Sequence, residues 1–353
     1  MLLYIHIPFC DSKCHYCAFN SYVDLFSFKK EYMEALKKQL AYELQKNNKK
    51  IETIFIGGGT PSTLEASFYE EIFEIIEPYK VNKNIEITTE ANPNSASKKW
   101  LEGMQNLGVN RVSFGVQSFN DEKLKFLGRN HNEKQAVKAI EEAENVGFKN
   151  INCDIIYDTT CDTKKILEKD FEIIGNLPVN HVSSYSLTIE EGTKFYKTPE
   201  VQKENEENSR FIFRMLENIG IYQYEISNFA KDESARCKHN IGYWNYTEYF
   251  GIGSGAVGTI GCNRTYGEKD VLKYIKSPLK YNQIEILKEE DIITEKTLLG
   301  LRSIIGVDIN LFTSKQQQKI EQLIEVNKLF IKDKRVYSND YLLADELALF
   351  LLD

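Results

Sequence analysis

Residues 6–20 read HIPFCDSKCHYCAFN and follow directly on an apolar opening. Three of the chain's seven cysteines, Cys10, Cys14 and Cys17, fall here with the spacing C-x3-C-x2-C. Thiolates are the ligands of iron–sulfur clusters, and a cubane of four irons held by only three of them leaves one iron free for another ligand. A zinc site completed by His6 or His15 is the competing metal reading. Structural zinc, however, usually draws ligand pairs from separated segments, and the remaining cysteines form no such pair. Three buried, unliganded cysteines fit less well, because Lys13 and His15 keep the loop polar and exposed.

Working outward, the residues before the triplet predict a strand over Leu2 to Ile7. Similar runs recur at Ile51 to Ile56, Ile85 to Thr89, Arg111 to Val116, Ile151 to Tyr157, His181 to Leu187 and Ile221 to Ile226. Helix-length segments separate them. In FKKEYMEALKKQLAYELQ, Phe28, Tyr32, Leu36 and Leu40 return to one face. Three helices end in similar punctuation, NLGVNRV, NVGFKNI and NIGIYQY, which places Gly108, Gly147 and Gly220 at left-handed C-cap positions. Such alternation implies an α/β fold with a parallel sheet.

The unusual residues decide between an open sheet and a barrel. The cysteines follow the first strand, GGGTP the second, TEANP the third and GVQSF the fourth, while Asp154 sits in the fifth. Ligand-type groups delivered by successive strands are how a βα barrel builds a site on one face. The expectation is a partial, TIM-like (βα)6 barrel over residues 1–230 and a smaller C-terminal domain over residues 231–353. That second part opens with the aromatic and Gly-rich stretch CKHNIGYWNYTEYFGIGSGAVG, its motif region spanning 237–256, and then reads mainly helical to LADELALFLL.

Lys and Arg total 44 against 52 Asp and Glu, a formal net charge of −8 with no basic block, so nucleic acid is not an expected partner. No uncharged apolar run approaches the roughly 18 to 20 residues needed to span a bilayer. The opening has no basic leader and no small-residue cleavage site. An odd cysteine count with three in one cluster suits a reducing compartment. The expected location is the cytoplasm.

C-x3-C-x2-C directly after an apolar strand resembles the radical S-adenosylmethionine superfamily. Within it, YIHIPFC, GGGTPS, TEANP, SFGVQSF and GRNH resemble the oxygen-independent coproporphyrinogen III oxidase-like branch, in order across residues 2 to about 305. The resemblance implies a radical SAM core with a 4Fe-4S cluster on Cys10, Cys14 and Cys17, whose open iron takes the amino and carboxylate groups of S-adenosyl-L-methionine. It implies a cofactor shell of Gly58, Gly59, Thr60, Glu90, Gln117, Arg129 and Asp154, with Tyr4 and Tyr16 beside the cluster. Glu90 and Asp154 can accept from hydroxyls or an ammonium, and Arg129 can clamp a carboxylate. One departure is DIIYDTT, where the family commonly places a Gly and Pro turn after its fifth-strand Asp.

Two features place the chain with the HemW-type heme chaperones of that branch rather than with coproporphyrinogen III dehydrogenases. The dehydrogenases carry a further cysteine in a C-x3-C-x2-C-x-C run and a long N-terminal extension, whereas here Ala18 and Phe19 follow Cys17 and only nine residues precede Cys10. HNIGYW, His239 to Trp244, matches the H-N-x-x-Y-W signature, and YEISNFA, Tyr224 to Ala230, follows the same pattern. His239 with flanking Tyr243 and Trp244 can supply an axial imidazole and flat apolar surfaces to a porphyrin, with Cys237 an alternative ligand and a structural histidine the plainer reading. GIGSGAVG has G-x-G-x-G spacing outside an early βαβ unit and does not read as a dinucleotide loop. The resemblance implies heme binding and delivery to membrane-bound respiratory hemoproteins, with a peripheral membrane contact. The alternative is the dehydrogenase, which oxidatively decarboxylates coproporphyrinogen III in porphyrin biosynthesis; whether the chain is an enzyme is left open between them.

Overall fold

A computed structural model describes residues 1–203 and 205–353. Six strands lie side by side in chain order, all parallel: β1 (Leu2–Ile7), β2 (Thr53–Gly58), β3 (Glu86–Ala91), β4 (Arg111–Gln117), β5 (Asn150–Tyr157) and β6 (His181–Ser186). Helices connect them: α1 (Lys29–Asn47), α2 (Glu70–Ile76), α3 (Lys98–Asn106), α4 (Asp121–Leu127), α5 (Glu133–Val146) and α6 (Lys164–Gly175), with α7 (Glu206–Asn218) after β6. The expected βα core is therefore present, and the strand boundaries move by a residue or two.

Local chemistry sets where the helices start and stop. Asn132 caps α5 and exchanges bonds with Gln135 in a full capping box, and Thr163 caps α6 through the Ile166 N–H. Gly108, Gly147 and Gly220 all take left-handed φ values, as their positions predict. One face of each strand is fully enclosed: Leu3, Ile5 and Ile7 of β1 have no exposed surface, and neither do Ile54 and Ile56 of β2. Each such side chain contributes about 1.5–3 kcal/mol relative to an exposed one, which ties the helices to the sheet.

Beyond β6 the sheet does not close. On that side β8 (Asn228–Ala230) pairs antiparallel with β6, and the two-residue β7 (Tyr222–Gln223) pairs with β8, so Ile221 to Ile226 is not a seventh parallel strand. On the other side, β9 (Tyr249–Ile252) runs parallel to β1 and is followed antiparallel by β10 (Val257–Ile260), β11 (Asn263–Gly267) and β12 (Tyr281–Ile286). The sheet thus crosses residue 230 and takes in residues up to Ile286. These four strands lie where the sequence signalled only aromatics and glycine. Gly251 in β9 shows why glycine is needed there, since a Cβ would lie 2.0 Å from the Val257 carbonyl oxygen.

Of two short helices, α8 (Lys238–Trp244) packs on β2 and α9 (Val271–Lys276) on α1. The C-terminal portion holds α10 (Glu289–Leu301), a three-stranded sheet of β13 (Val307–Asp308), β14 (Leu329–Lys332) and β15 (Arg335–Ser338), and helices α11 (Ser314–Glu325) and α12 (Ala344–Leu352). Its own core gathers Leu301, Val307, Phe312, Ile320, Leu329, Val336, Leu347 and Leu351.

Candidate cluster and cofactor site

The cysteine loop leaves β1 and is closed at its neck. Cys10 N donates to the Tyr22 carbonyl at 3.0 Å, and Tyr22 N donates to that of Pro8 at 2.7 Å. Cys10 is buried, whereas Cys14 and Cys17 keep partial exposure. The three thiols are near enough for Cys14 and Cys17 to add their charge to Cys10, and burial is the larger cause that raises the Cys10 and Cys17 thiols. Among the described residues no three His, Cys, Asp or Glu side chains close on a single metal-ion position. Both candidate zinc histidines are held elsewhere: His6 between Tyr4 Oη (3.0 Å) and the Asn20 carbonyl (2.8 Å), His15 between the Phe126 carbonyl (2.8 Å) and Lys194 Nζ (3.0 Å). Three thiols spread around one loop suit the separate corners of a cubane instead.

The glycine loop after β2 presses on this loop. Gly59 N donates to the Ile7 carbonyl and Thr60 N to that of Phe9, both at 2.7 Å, and Cys10 Sγ lies 3.3 Å from Thr60 Oγ1. A Cβ on Gly58, whose φ is +111°, would come within 2.4 Å of the His6 ring, and one on Gly59 within 2.7 Å of the Phe9 carbonyl oxygen. What the glycines let approach is thus the chain's own cluster loop.

The ends of the next strands supply the polar side. Glu90, in β3, accepts from Gly58 N at 3.0 Å; burial foremost and the charge of Asp154 push its carboxyl up to about 7. Asp154, in β5, accepts from Asn152 Nδ2 at 2.6 Å and is pushed up to about 6 by burial, against the bonds that hold it down. A register shift between β4 and β5 delivers Gln117 with φ +72°, a left-handed conformation that costs a non-glycine residue of order 1 kcal/mol or more. Arg129, past α4, donates through Nη1 to Cys14 Sγ at 3.3 Å and through Nη2 to Asn92 Oδ1 at 2.6 Å and to the Gly115 carbonyl. Tyr16 lies against Arg129 and packs with Leu127, Ile156 and Phe195. Gln117 Oε1 and Arg129 Nε are buried without hydrogen-bond partners among the described residues. Orphaned polar atoms beside three thiols fit a polar cofactor.

The turn that departs from the family pattern is well fastened. Asp158 sits at φ +63° and accepts from Ser186 Oγ and Asn208 Nδ2, both at 2.8 Å. Cys161 lies in this turn, away from the triplet, with its N–H on Thr159 Oγ1.

Next to the cysteine loop a cavity of about 1300 Å³ opens between β1 and the added strands. Tyr4, Phe55, Tyr243 and Tyr249 line it, and so do Ala18 and Phe19, the residues directly after the triplet. Arg264 and Lys296 bring cations to its wall. Arg264 makes a two-pronged pair with Glu295 at 2.7 and 2.6 Å, whereas Lys296 Nζ lies 5.4 Å from the centre of the Tyr246 ring. Sequence reasoning named none of these cavity residues except Tyr4, Tyr243 and the Ala18–Phe19 pair, because strands β9 to β12 were not foreseen.

His239 belongs to the same cavity wall. It has no exposed surface, and both ring nitrogens are engaged, Nδ1 with Thr53 Oγ1 at 2.8 Å and Nε2 with Tyr243 Oη at 3.1 Å. Burial drives its ring down to about 3. Cys237 is buried too, turned toward Glu86 Oε1 at 3.5 Å rather than to the cavity, and its thiol is pushed up to about 12 by burial first and by that carboxylate second. Trp244 borders a separate, smaller pocket with Lys296 and Arg335. In YEISNFA, Tyr224 has a structural use, its hydroxyl bonding His181 Nε2 at 2.8 Å and accepting from Cys237 N at 3.2 Å. The GIGSGAVG loop packs on the cluster loop, Gly253 against His6 and Gly255 against Asn20.

Residues 4–172 match the Radical SAM superfamily model. Over 334 residues the chain is 36% identical to the heme chaperone HemW of Bacillus subtilis, covering 91% of this chain and 88% of that one. The chain belongs to the HemW family of radical SAM proteins. The family's heme chaperone HemW from Escherichia coli is 34% identical over 284 residues, covering 78% of this chain and 73% of its own. The fold also matches Escherichia coli HemN, a coproporphyrinogen III oxidase, with a TM-score of 0.83 at 19% identity over 99% of this chain and 89% of that one. Family membership implies a 4Fe-4S cluster and S-adenosylmethionine as cofactors, which the thiols and orphaned polar atoms fit. No described helix is long and apolar enough to cross a membrane.

Proposed function

We propose that this chain is a heme chaperone: it binds heme in the cavity beside the cluster loop and passes it to membrane-bound respiratory hemoproteins. Similarity to HemW along most of the chain supports this, and so does the cavity itself. Eight tyrosine and phenylalanine side chains stand in its wall and can face a porphyrin. The ammonium of Lys296, which rests on the Tyr246 ring and has no carboxylate partner among the described residues, offers a counter-charge to a porphyrin carboxylate.

Cys10, Cys14 and Cys17 would hold the cluster, and Gly58, Gly59, Thr60, Glu90, Gln117, Arg129 and Asp154, with Tyr4 and Tyr16, would surround the S-adenosylmethionine. Bound there, the pair supplies reductive cleavage of the sulfonium. The protein's own part is to neutralise and orient. Arg129 sets a positive charge against Cys14, and Glu90 and Asp154 hold carboxyls whose affinity for protons is raised. In this reading residues 1–230 form the cluster-and-cofactor part and residues 231–353 contribute the heme side. The protein would work in the cytoplasm and meet the membrane peripherally.

The second reading, a coproporphyrinogen III dehydrogenase, rests on the shared fold. Against it stand Ala18 and Phe19, which occupy the cavity edge where the dehydrogenase pattern has a further cysteine. The deciding experiment incubates the cluster-loaded protein with S-adenosylmethionine, a reductant and coproporphyrinogen III, and separately titrates it with heme. Heme binding without loss of two carboxyl groups from the porphyrinogen is expected. Decarboxylated product above a control lacking the cofactor would make the chain an enzyme.

A further inference from the structure

The wall of the cavity does not offer all its polar atoms equally. Thr53, His239 and Tyr243 form a line, from Thr53 Oγ1 to His239 Nδ1 at 2.8 Å and from His239 Nε2 to Tyr243 Oη at 3.1 Å. His239 is fully buried inside that line, whereas Tyr243 is half-buried and borders the open space. The two residues are four apart on α8 and so share a face. The Tyr243 ring is fixed from both sides, edge-on to His239 and to Tyr249 with centroids 4.8 Å apart in each case. Its oxygen is therefore the end of the line that a ligand in the cavity can reach.

We infer that Tyr243, rather than His239 or Cys237, is the side chain this protein offers to the iron of a bound heme, with His239 as the partner that orients it. The inference rests on the heme reading above. On binding, the ferric iron gives up its axial hydroxide, a bond forms between the iron and the Tyr243 oxygen, the O–H bond breaks, and its proton leaves with the hydroxide as water. The iron stays ferric and no electron moves. His239 Nδ1 and Thr53 Oγ1 share a hydrogen bond of 2.8 Å that holds the ring in place behind Tyr243. A partner that orients a ligand and raises its basicity is the usual second layer of a metal site. Phenolate is an anionic oxygen donor that serves ferric heme, so ferric heme should bind more tightly than ferrous.

A second tyrosine–histidine pair lines the cavity, Tyr4 with His6. Burial foremost raises the phenols of both tyrosines; at Tyr4 the charge of Glu90 adds to it and opposes a phenolate, whereas at Tyr243 the smaller additions come from Tyr249 and Cys237 and not, among the described residues, from a carboxylate.

The test is a titration of the cluster-loaded protein with ferric heme, followed by electron paramagnetic resonance and resonance Raman spectroscopy. The 2+ form of a 4Fe-4S cluster is silent in paramagnetic resonance, so the heme signal can be read directly. Expected are a high-spin ferric signal and phenolate–iron vibrations in the wild type. Tyr243→Phe should lose both and bind roughly 10- to 100-fold more weakly, and His239→Ala should bind about 10-fold more weakly while keeping the phenolate vibrations. A low-spin, nitrogen-ligated wild-type spectrum overturns the assignment, and this holds even if Tyr243→Phe does not fold. So does a Tyr243→Phe complex identical to the wild type, or loss of the vibrations in Tyr4→Phe instead. Failure of the wild type to bind heme overturns the heme reading itself, and it is seen before any substitution is made.

Discussion

Glu86, at the start of β3, accepts the backbone N–H of His239 at 2.9 Å, and its other oxygen accepts that of Lys238 at 3.0 Å. A carboxylate from the barrel thus caps the helix that carries the H-N-x-x-Y-W motif. Arg111 sits below, fully buried, with Nε 3.8 Å from the same carboxylate and Nη2 donating to the Ala235 carbonyl. Replacing Glu86 by Ala removes two capping bonds and leaves the guanidinium without its counter-charge. Breaking a buried pair in this way costs about 3–5 kcal/mol. Chemical denaturation of Glu86→Ala should show a loss of that size, and Glu86→Gln, which keeps one acceptor, a smaller one.

Cys14→Ser should abolish the brown absorbance of anaerobically reconstituted protein, because a hydroxyl replaces one of only three thiolates. Iron and sulfide analysis provides the check. A full complement of both in the variant would mean that another residue completes the site.

Gly58→Ala tests whether the glycine loop serves the cluster loop. The added Cβ would meet the His6 ring at 2.4 Å at a φ of +111°, so strain and a displaced His6 are both expected. The expected result is a melting temperature several degrees lower, for a loss of about 1–3 kcal/mol, together with a lower yield of reconstituted cluster.

The Glu90 carboxyl is raised to about 7, mainly by burial. In the cofactor-free protein the folded state therefore holds this proton more tightly than the unfolded chain does, and stability from this group is lost as pH rises from about 4.3 to 7. Glu90→Gln lacks the effect. Melting temperatures of the two proteins should diverge in favour of the variant between pH 5 and pH 8. A constant difference across that range would remove Glu90 from the buried position described here.

Lys296→Glu should weaken heme binding by about 5- to 10-fold, the loss of one charge-assisted contact, and should leave the iron-ligand spectrum unchanged. Titration at two salt concentrations checks it, since the wild-type advantage should shrink as the salt rises.

The sequence by itself determined what is local. The spacing of Cys10, Cys14 and Cys17 on one loop, the strand before them and the alternating βα pattern to His181 were legible because ligand spacing and hydrophobic periodicity lie within a few residues of one another. Only the tertiary structure decided what faces what. HNIGYW offers His239 as the ligand, yet packing against Thr53, 186 residues away in the chain, leaves His239 with no exposed surface and Tyr243 half-buried in the same cavity wall. Strands β9 to β12 escaped notice for the same physical reason. Their short runs carry little periodicity of their own, and they are anchored through β9 alone on β1, a partner more than two hundred residues away.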